Sequence, residues 1–82
     1  MLTVSVISPE AVLFEGETDS VVAPAYDGEV GILTGHAPLM ALLGDGQLRL
    51  GAGGGRKFNV SGGFMQVLNN QVRVVTEKAS LA

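Results

Sequence analysis

The sequence predicts an all-β domain, an antiparallel sandwich or barrel, from three observations. Short runs alternate apolar and polar residues, as in Leu2-Thr3-Val4-Ser5-Val6 and Lys57-Phe58-Asn59-Val60-Ser61. Turn residues punctuate these runs at nearly regular spacing, at Asp27-Gly28, Gly44-Asp45-Gly46, Gly62-Gly63 and Asn69-Asn70. No stretch of helix length places apolar residues at helical spacing. Period-two patterning broken by turns implies antiparallel layers. Eight or nine short strands are counted in this way.

Taken in order, residues 2–6 form the first strand, with Leu2, Val4 and Val6 facing inward because side chains alternate along a strand. Ser8-Pro9-Glu10 ends it, since proline fixes its own φ and lacks an amide donor. The tripeptide also has the form of a helix start, a serine cap followed by proline. The run after it, residues 11–16, is too short for a helix and stops at Gly16, so it reads as a strand with Val12 and Phe14 alternating around Leu13. Residues 18–25 carry Val21 and Val22 and stop near Pro24. Asp27-Gly28 marks a turn, because both residues tolerate positive φ. Residues 29–32 form a four-residue strand.

Residues 39–43 are apolar on both faces. Such a strand is covered on both sides by its own chain or gives one face to a partner. If Leu39, Ala41 and Leu43 fill the core, Met40 and Leu42 face outward. After the Gly44-Asp45-Gly46 turn, residues 47–50 and 57–60 form a hairpin. The glycine-rich residues 51–55 between them are the loosest composition in the chain. Residues 64–68 and 71–75 form a second hairpin. Residues 77–82 are read as a tail with the makings of one helical turn, too short to stand alone.

The 82 residues make one domain, 1–82, with no linker, repeat or heptad. A chain this short buries roughly 60–65% of its unfolded surface, so there is room for a single core. Hydrophobic residues make up 46% and charged residues 16%. So few charges imply that part of the apolar surface is covered by a partner. The net charge of −3, and five cations in no run longer than two, argue against nucleic acid. The absence of cysteine excludes disulfides and thiolate metal sites and fits a reducing compartment. The N-terminus lacks a basic segment followed by an apolar run, so no signal peptide is expected. The longest apolar stretch, residues 37–43, contains a proline and is far too short to span a membrane.

Catalytic candidates are weak. His36 is the only histidine; it has no second histidine or cysteine for a metal and no paired nucleophile for hydrolysis. It reads instead as a turn or interface residue. Gly51-Ala52-Gly53-Gly54-Gly55-Arg56-Lys57 resembles a phosphate cradle but lacks the serine or threonine after the lysine and the helix that such loops require. A small anion-binding domain using loop 51–57 is therefore the alternative reading. Glu15, Glu17 and Asp19 alternate and fit a solvated strand face. Phe14, Phe58 and Phe64 are assigned to the core. No cofactor and no metal site is expected.

Gly28-Glu29-Val30-Gly31-Ile32-Leu33-Thr34-Gly35-His36-Ala37-Pro38-Leu39, then Gly46-Gln47-Leu48-Arg49 and Ser61-Gly62-Gly63-Phe64-Met65-Gln66-Val67, resembles the epsilon subunit of F-type ATP synthases. The opening residues 2–10 and Val74-Val75-Thr76-Glu77-Lys78-Ala79 extend the likeness over nearly the whole chain. The resemblance implies a ten-stranded β-sandwich of two antiparallel five-stranded sheets. It implies a non-catalytic rotor subunit that binds the gamma subunit and the polar loops of a c-ring moving protons or sodium ions. The alpha/beta hexamer, where catalysis occurs, would be an indirect partner. Such a protein lies peripherally on the cytoplasmic, or equivalent F1, face of an energy-coupling membrane.

Carried over by similarity, Asp27, Gly28 and Glu29 would face the c-ring. Ser8, His36, Ala37, Pro38, Met40, Ala41 and Leu42 would face gamma. Two departures stand out. Thr34 occupies a position where the family often has proline. The family usually continues into a C-terminal helical hairpin, and no such hairpin is expected within these residues, as in a short member of the family or its N-terminal domain.

Overall fold

A computed structural model describes residues 1–51 and 55–81. The centre of the glycine-rich loop, residues 52–54, lies outside the described residues, and so does most of the reading made for that loop. Ten strands occur among the described residues: β1 (Leu2–Ile7), β2 (Val12–Thr18), β3 (Ser20–Ala25), β4 (Gly28–Leu33), β5 (Leu39–Leu42), β6 (Gly46–Leu50), β7 (Arg56–Ser61), β8 (Phe64–Leu68), β9 (Gln71–Val75) and β10 (Lys78–Leu81). They form two five-stranded sheets, one ordered β2-β1-β9-β8-β5 and the other β10-β7-β6-β3-β4. The sandwich expected from the sequence is thus present, with a qualification on strand direction.

The second sheet is antiparallel throughout, whereas the first is mixed, because β1 pairs with β9 in parallel from Thr3↔Gln71 to Ile7↔Val75. Parallel neighbours need a long crossover, and here the chain between the two strands supplies it by forming β2, β5 and β8 of the same sheet and β3, β4, β6 and β7 of the other. Local alternation reveals a strand but not the direction of its neighbour.

The tail also differs from its expected form. Residues 78–81 are strand, paired antiparallel with β7 through Lys78↔Ser61 to Leu81↔Phe58. A lone helical turn leaves its amides unpaired, while the open edge of β7 offers partners for them. Thr76, fully buried, holds the bend into this strand by donating its hydroxyl to the Lys78 carbonyl at 2.9 Å.

The inner faces follow the alternation. Leu2, Val4, Val6, Met65, Val67, Val72 and Val74 of the first sheet face Val21, Ile32, Leu48, Leu50, Phe58 and Val60 of the second. Fully burying one such side chain contributes roughly 1.5–3 kcal/mol. Phe14 is half-buried and packs on this core, its ring 6.4 Å from that of Phe58. Gly16 gives it room, since a Cβ there would sit 3.1 Å from the Phe14 ring. Val12, expected beside Phe14, is exposed, because the β1–β2 register shifts between Val6 and Ile7.

The β7–β8 bend depends on glycine. Gly63 has φ +100°, and a Cβ on it would collide with the Val75 carbonyl. The Gly63 carbonyl in turn accepts the Leu43 amide at 2.9 Å, tying the β7–β8 bend to the end of β5. Gly63→Ala should lower stability by at least about 2 kcal/mol, read as a lower urea midpoint with an unchanged slope.

Candidate binding surfaces

The two outer faces of the sandwich differ in chemistry. On the first sheet the register aligns Ile7, Val75, Phe64 and Leu42 in one row across four strands. Ile7, Val75 and Phe64 are half-buried and Leu42 is 66% exposed. Met40, 63% exposed, stands beside Gln66 in the next row, and Leu68 is exposed on the same face. Farther from β5 the face turns polar, with Thr3, Ser5, Glu15 and Glu17 outward. Glu15 and Glu17 form the solvated acidic stripe expected of them. Apolar surface gathered into a row, rather than scattered, marks an interaction surface.

The outer face of the second sheet is polar. Gln47, Asn59, Arg49 and Lys57 stand there in cross-strand pairs. Glu29 reaches across this face, its carboxylate accepting from the Arg49 guanidinium at 2.7 Å. Glu29 is exposed and Arg49 half-buried, with the bonded guanidinium end at the surface, so the pair contributes under about 1 kcal/mol.

The faces meet at a corner. The isolated bridge Ala25↔Leu43 joins the end of β3 to the end of β5, one strand from each sheet. The Tyr26 amide donates to the Leu42 carbonyl at 2.8 Å, and the Gly44 amide donates to the Pro24 carbonyl at 2.8 Å. A groove of about 400 Å³ lies at this corner, lined by Tyr26, Asp27, Val30, Met40 and Leu42 among others. Tyr26, 82% exposed, adds an aromatic side chain to it.

From β4 the chain crosses to β5 through a tight turn. The His36 amide donates to the Leu33 carbonyl at 3.1 Å. Gly35, third in this four-residue turn, has φ +86°, and Thr34 before it has negative φ. That combination defines a type II turn, which calls for glycine in the third place and favours proline in the second. The proline that the resemblance leads one to expect at position 34 would therefore suit this turn. His36 is half-buried, and its ring Nδ1 donates to the Ala37 carbonyl at 2.7 Å. A carbonyl can only accept, so Nδ1 carries the proton. No group of three or more metal-ligating side chains occurs among the described residues.

The sequence-derived contact residues fall as follows. Met40 and Leu42 point outward from β5 while Leu43 is buried, as the alternation requires. Leu39 and Ala41 are half-buried beneath them. Asp27 lines the same corner groove as Met40 and Leu42, so the two contact sets adjoin. Gly28, with φ +139°, opens β4 and Glu29 follows it. Ser8 lies apart from the β5 group. It closes the β1–β2 turn, where its amide donates to the Ala11 carbonyl at 2.9 Å. His36 sits at the Leu39 end of β5, whereas Ser8 follows Ile7 at the Leu42 end of the sheet. The structure therefore spreads these residues around one sheet rather than gathering them.

Sequence reasoning missed Phe64, Ile7 and Val75. Phe64 was assigned to the core, but Met65 and Val67 take the inner face of β8, which turns Phe64 outward. The signal was present in β8: Gln66 shares a face with Phe64 and Leu68, which leaves Met65 and Val67 as the wholly apolar, inward set. For loop 51–57, the Arg56 guanidinium lies 5.2 Å from the Phe14 ring centroid. Lys57, its neighbour along β7, points to the opposite face, so the two cations do not converge.

The ATP synthase delta/epsilon-chain β-sandwich domain model matches residues 1–82. The chain belongs to this family. It is 48% identical over 81 residues to the ATP synthase epsilon chain of Leptospira borgpetersenii, a match covering 98% of this chain and 64% of that one. It is 38% identical to the epsilon chain of Chlorobaculum tepidum, covering 95% of this chain and 91% of the relative. The chain thus spans a little under two thirds of the length of the Leptospira relative. Among solved structures, a chain of the Euglena gracilis mitochondrial ATP synthase superposes with a TM-score of 0.87 at 24% identity, over 98% of this chain and 52% of that one. That likeness supports the sandwich fold. Among the described residues no helix is long and apolar enough to cross a membrane.

The type II turn gives a direct test. Thr34 N–H takes no part in closing it, and Leu33 before it is in extended strand. Thr34→Pro should raise stability by about 0.4–1 kcal/mol by restricting the unfolded chain, seen as a higher thermal midpoint with unchanged strand signal in circular dichroism.

Proposed function

We propose that this domain is a non-catalytic central-stalk subunit of a rotary F-type ATP synthase, passing c-ring rotation to gamma during ATP synthesis. The observation that carries the reading is the contrast between the two faces. One sheet presents an apolar row ending at Leu42, with Met40 and Leu68 nearby. The other presents a polar face edged by Asp27, Gly28 and Glu29. A lasting subunit contact is served by apolar area, and contact with a polar loop that moves with a ring is served by exposed carboxylate and backbone groups.

In this reading gamma packs against the β5 side of the first sheet, on Met40, Ala41 and Leu42, with Ala37 and Pro38 leading in. His36 and Ser8 contact it from the two ends of the sheet. The c-ring loops meet Asp27, Gly28 and Glu29 at the β3–β4 turn. Arg49 steadies Glu29, and only one Glu29 oxygen is engaged by it. The other oxygen is open to a donor on the ring. Membership of the family and the solved relative, an assembly described as containing F1 and c-ring, support the placement. The alpha/beta hexamer is then an indirect partner, and the domain lies peripherally on the F1 side of the membrane.

The test uses charge on the exposed row. Met40→Asp and Leu42→Asp should leave the unfolding midpoint within about 0.5 kcal/mol of the parent, because both side chains already face water. Each should weaken co-purification with gamma at least tenfold. Full retention of gamma binding by both variants would refute the placement, and unfolding would show these side chains to be core.

A further inference from the structure

Asn70 joins three segments that are far apart in sequence. It ends the two-residue β8–β9 turn, in which Asn69 and Asn70 both take left-handed backbone angles, φ 50° and 61°. Asparagine tolerates that region better than most residues. The Asn70 carbonyl accepts the Thr3 amide at 2.8 Å, fixing the start of β1. Its side-chain Oδ1 accepts the Gly35 amide at 2.7 Å, across 35 positions of sequence.

The Gly35 amide is a specific target. In a type II turn the central peptide, here between Thr34 and Gly35, is oriented oppositely to its direction in a type I turn. Its N–H therefore points away from the turn and needs an acceptor from outside. Asn70 supplies one, so the hydrogen bond selects one of the two peptide orientations. The next residue is His36, and the chain runs straight into Ala37, Pro38 and β5. The orientation of the Thr34–Gly35 peptide thus sets how that lead-in approaches the edge of the first sheet.

We propose that Asn70 is a positioning residue that locks the β4–β5 crossover to the end of the first sheet and thereby presents residues 36–42 to gamma. Presentation to gamma rests on the function proposed above; the lock does not. The crossover it holds connects the strand that carries Glu29 to the strand that carries Met40 and Leu42, and the lock lies at the end of the sandwich opposite the Ala25↔Leu43 corner. Two ties, one at each end of β5, hold that edge strand in place.

The test compares Asn70→Gly with Asn70→Asp. Glycine accepts the left-handed backbone but removes the Oδ1 acceptor. Aspartate keeps both an acceptor and tolerance of the backbone angle. Amide exchange at Gly35 and calorimetric affinity for isolated gamma are measured beside the urea midpoint. Asn70→Gly should speed Gly35 exchange and weaken gamma binding, each roughly two- to tenfold, the range expected for one net hydrogen bond. Asn70→Asp should restore both. Unchanged Gly35 exchange in Asn70→Gly, or faster exchange with unaltered affinity, would overturn the proposal, as would weakened binding that Asn70→Asp fails to restore. Absence of gamma binding by the unaltered chain would instead sink the functional reading, and Gly35 exchange alone would then decide whether Asn70 holds the turn.

Discussion

A five-stranded sheet with one apolar face must bury that face, and a chain of 82 residues has only a second sheet of its own with which to do so. Facing sheets leave four edges, and what happens at those edges decides how stiff the sandwich is. Here the edge strand β5 is tied by a corner to the end of β3, the strand next to edge strand β4. The Ala25↔Leu43 bridge, the Tyr26–Leu42 bond and the Gly44–Pro24 bond continue strand pairing from one sheet to the other. On the far side, Arg56 over Phe14 and Phe14 against Phe58 close the gap with side chains instead. The corner also fixes the β3–β4 turn beside the outward side chains of β5. Both candidate contact regions follow from that single junction.

The low charge content has a matching explanation. Charges are sparse because one face withholds them: Ile7, Val75, Phe64 and Leu42 occupy positions where a fully solvated sheet would carry polar side chains. Uncovered, such a row on the β5 edge invites association with other chains. A partner subunit that covers it turns a liability into an attachment. The opposite face needs no cover, since its Glu29, Lys57 and Asn59 are exposed polar side chains.

Much of this was legible in the sequence, because period-two alternation reports which residues share a face. Leu2, Val4 and Val6, and Val72 and Val74, are buried as that pattern requires. Alternation left residues 39–43 open to cover on both faces, and the fold resolves this by leaving Met40 and Leu42 exposed. What could not be read was long-range. The parallel β1–β9 pairing and the strand at 78–81 both depend on which segment lies alongside, and no local pattern encodes a neighbour. The Asn70–Gly35 bond is of the same kind: each residue looked like an ordinary turn former, and only the fold joins them. The family likeness supplied the number of strands and the candidate contact residues.

The central claim is that one small rigid domain holds two different subunits on adjoining surfaces. The chain has no cysteine, so paired probes can be placed without background. The direct measurement is photo-crosslinking in the assembled synthase from a benzophenone–maleimide label attached at Glu29→Cys and Leu42→Cys on the same chain, read by mass spectrometry of the linked peptides. The account predicts that position 29 joins a c subunit while position 42 of the same molecule joins gamma. Linkage of both positions to one subunit, or a position 42 that stays open to a water-soluble thiol reagent in the assembly, would contradict it.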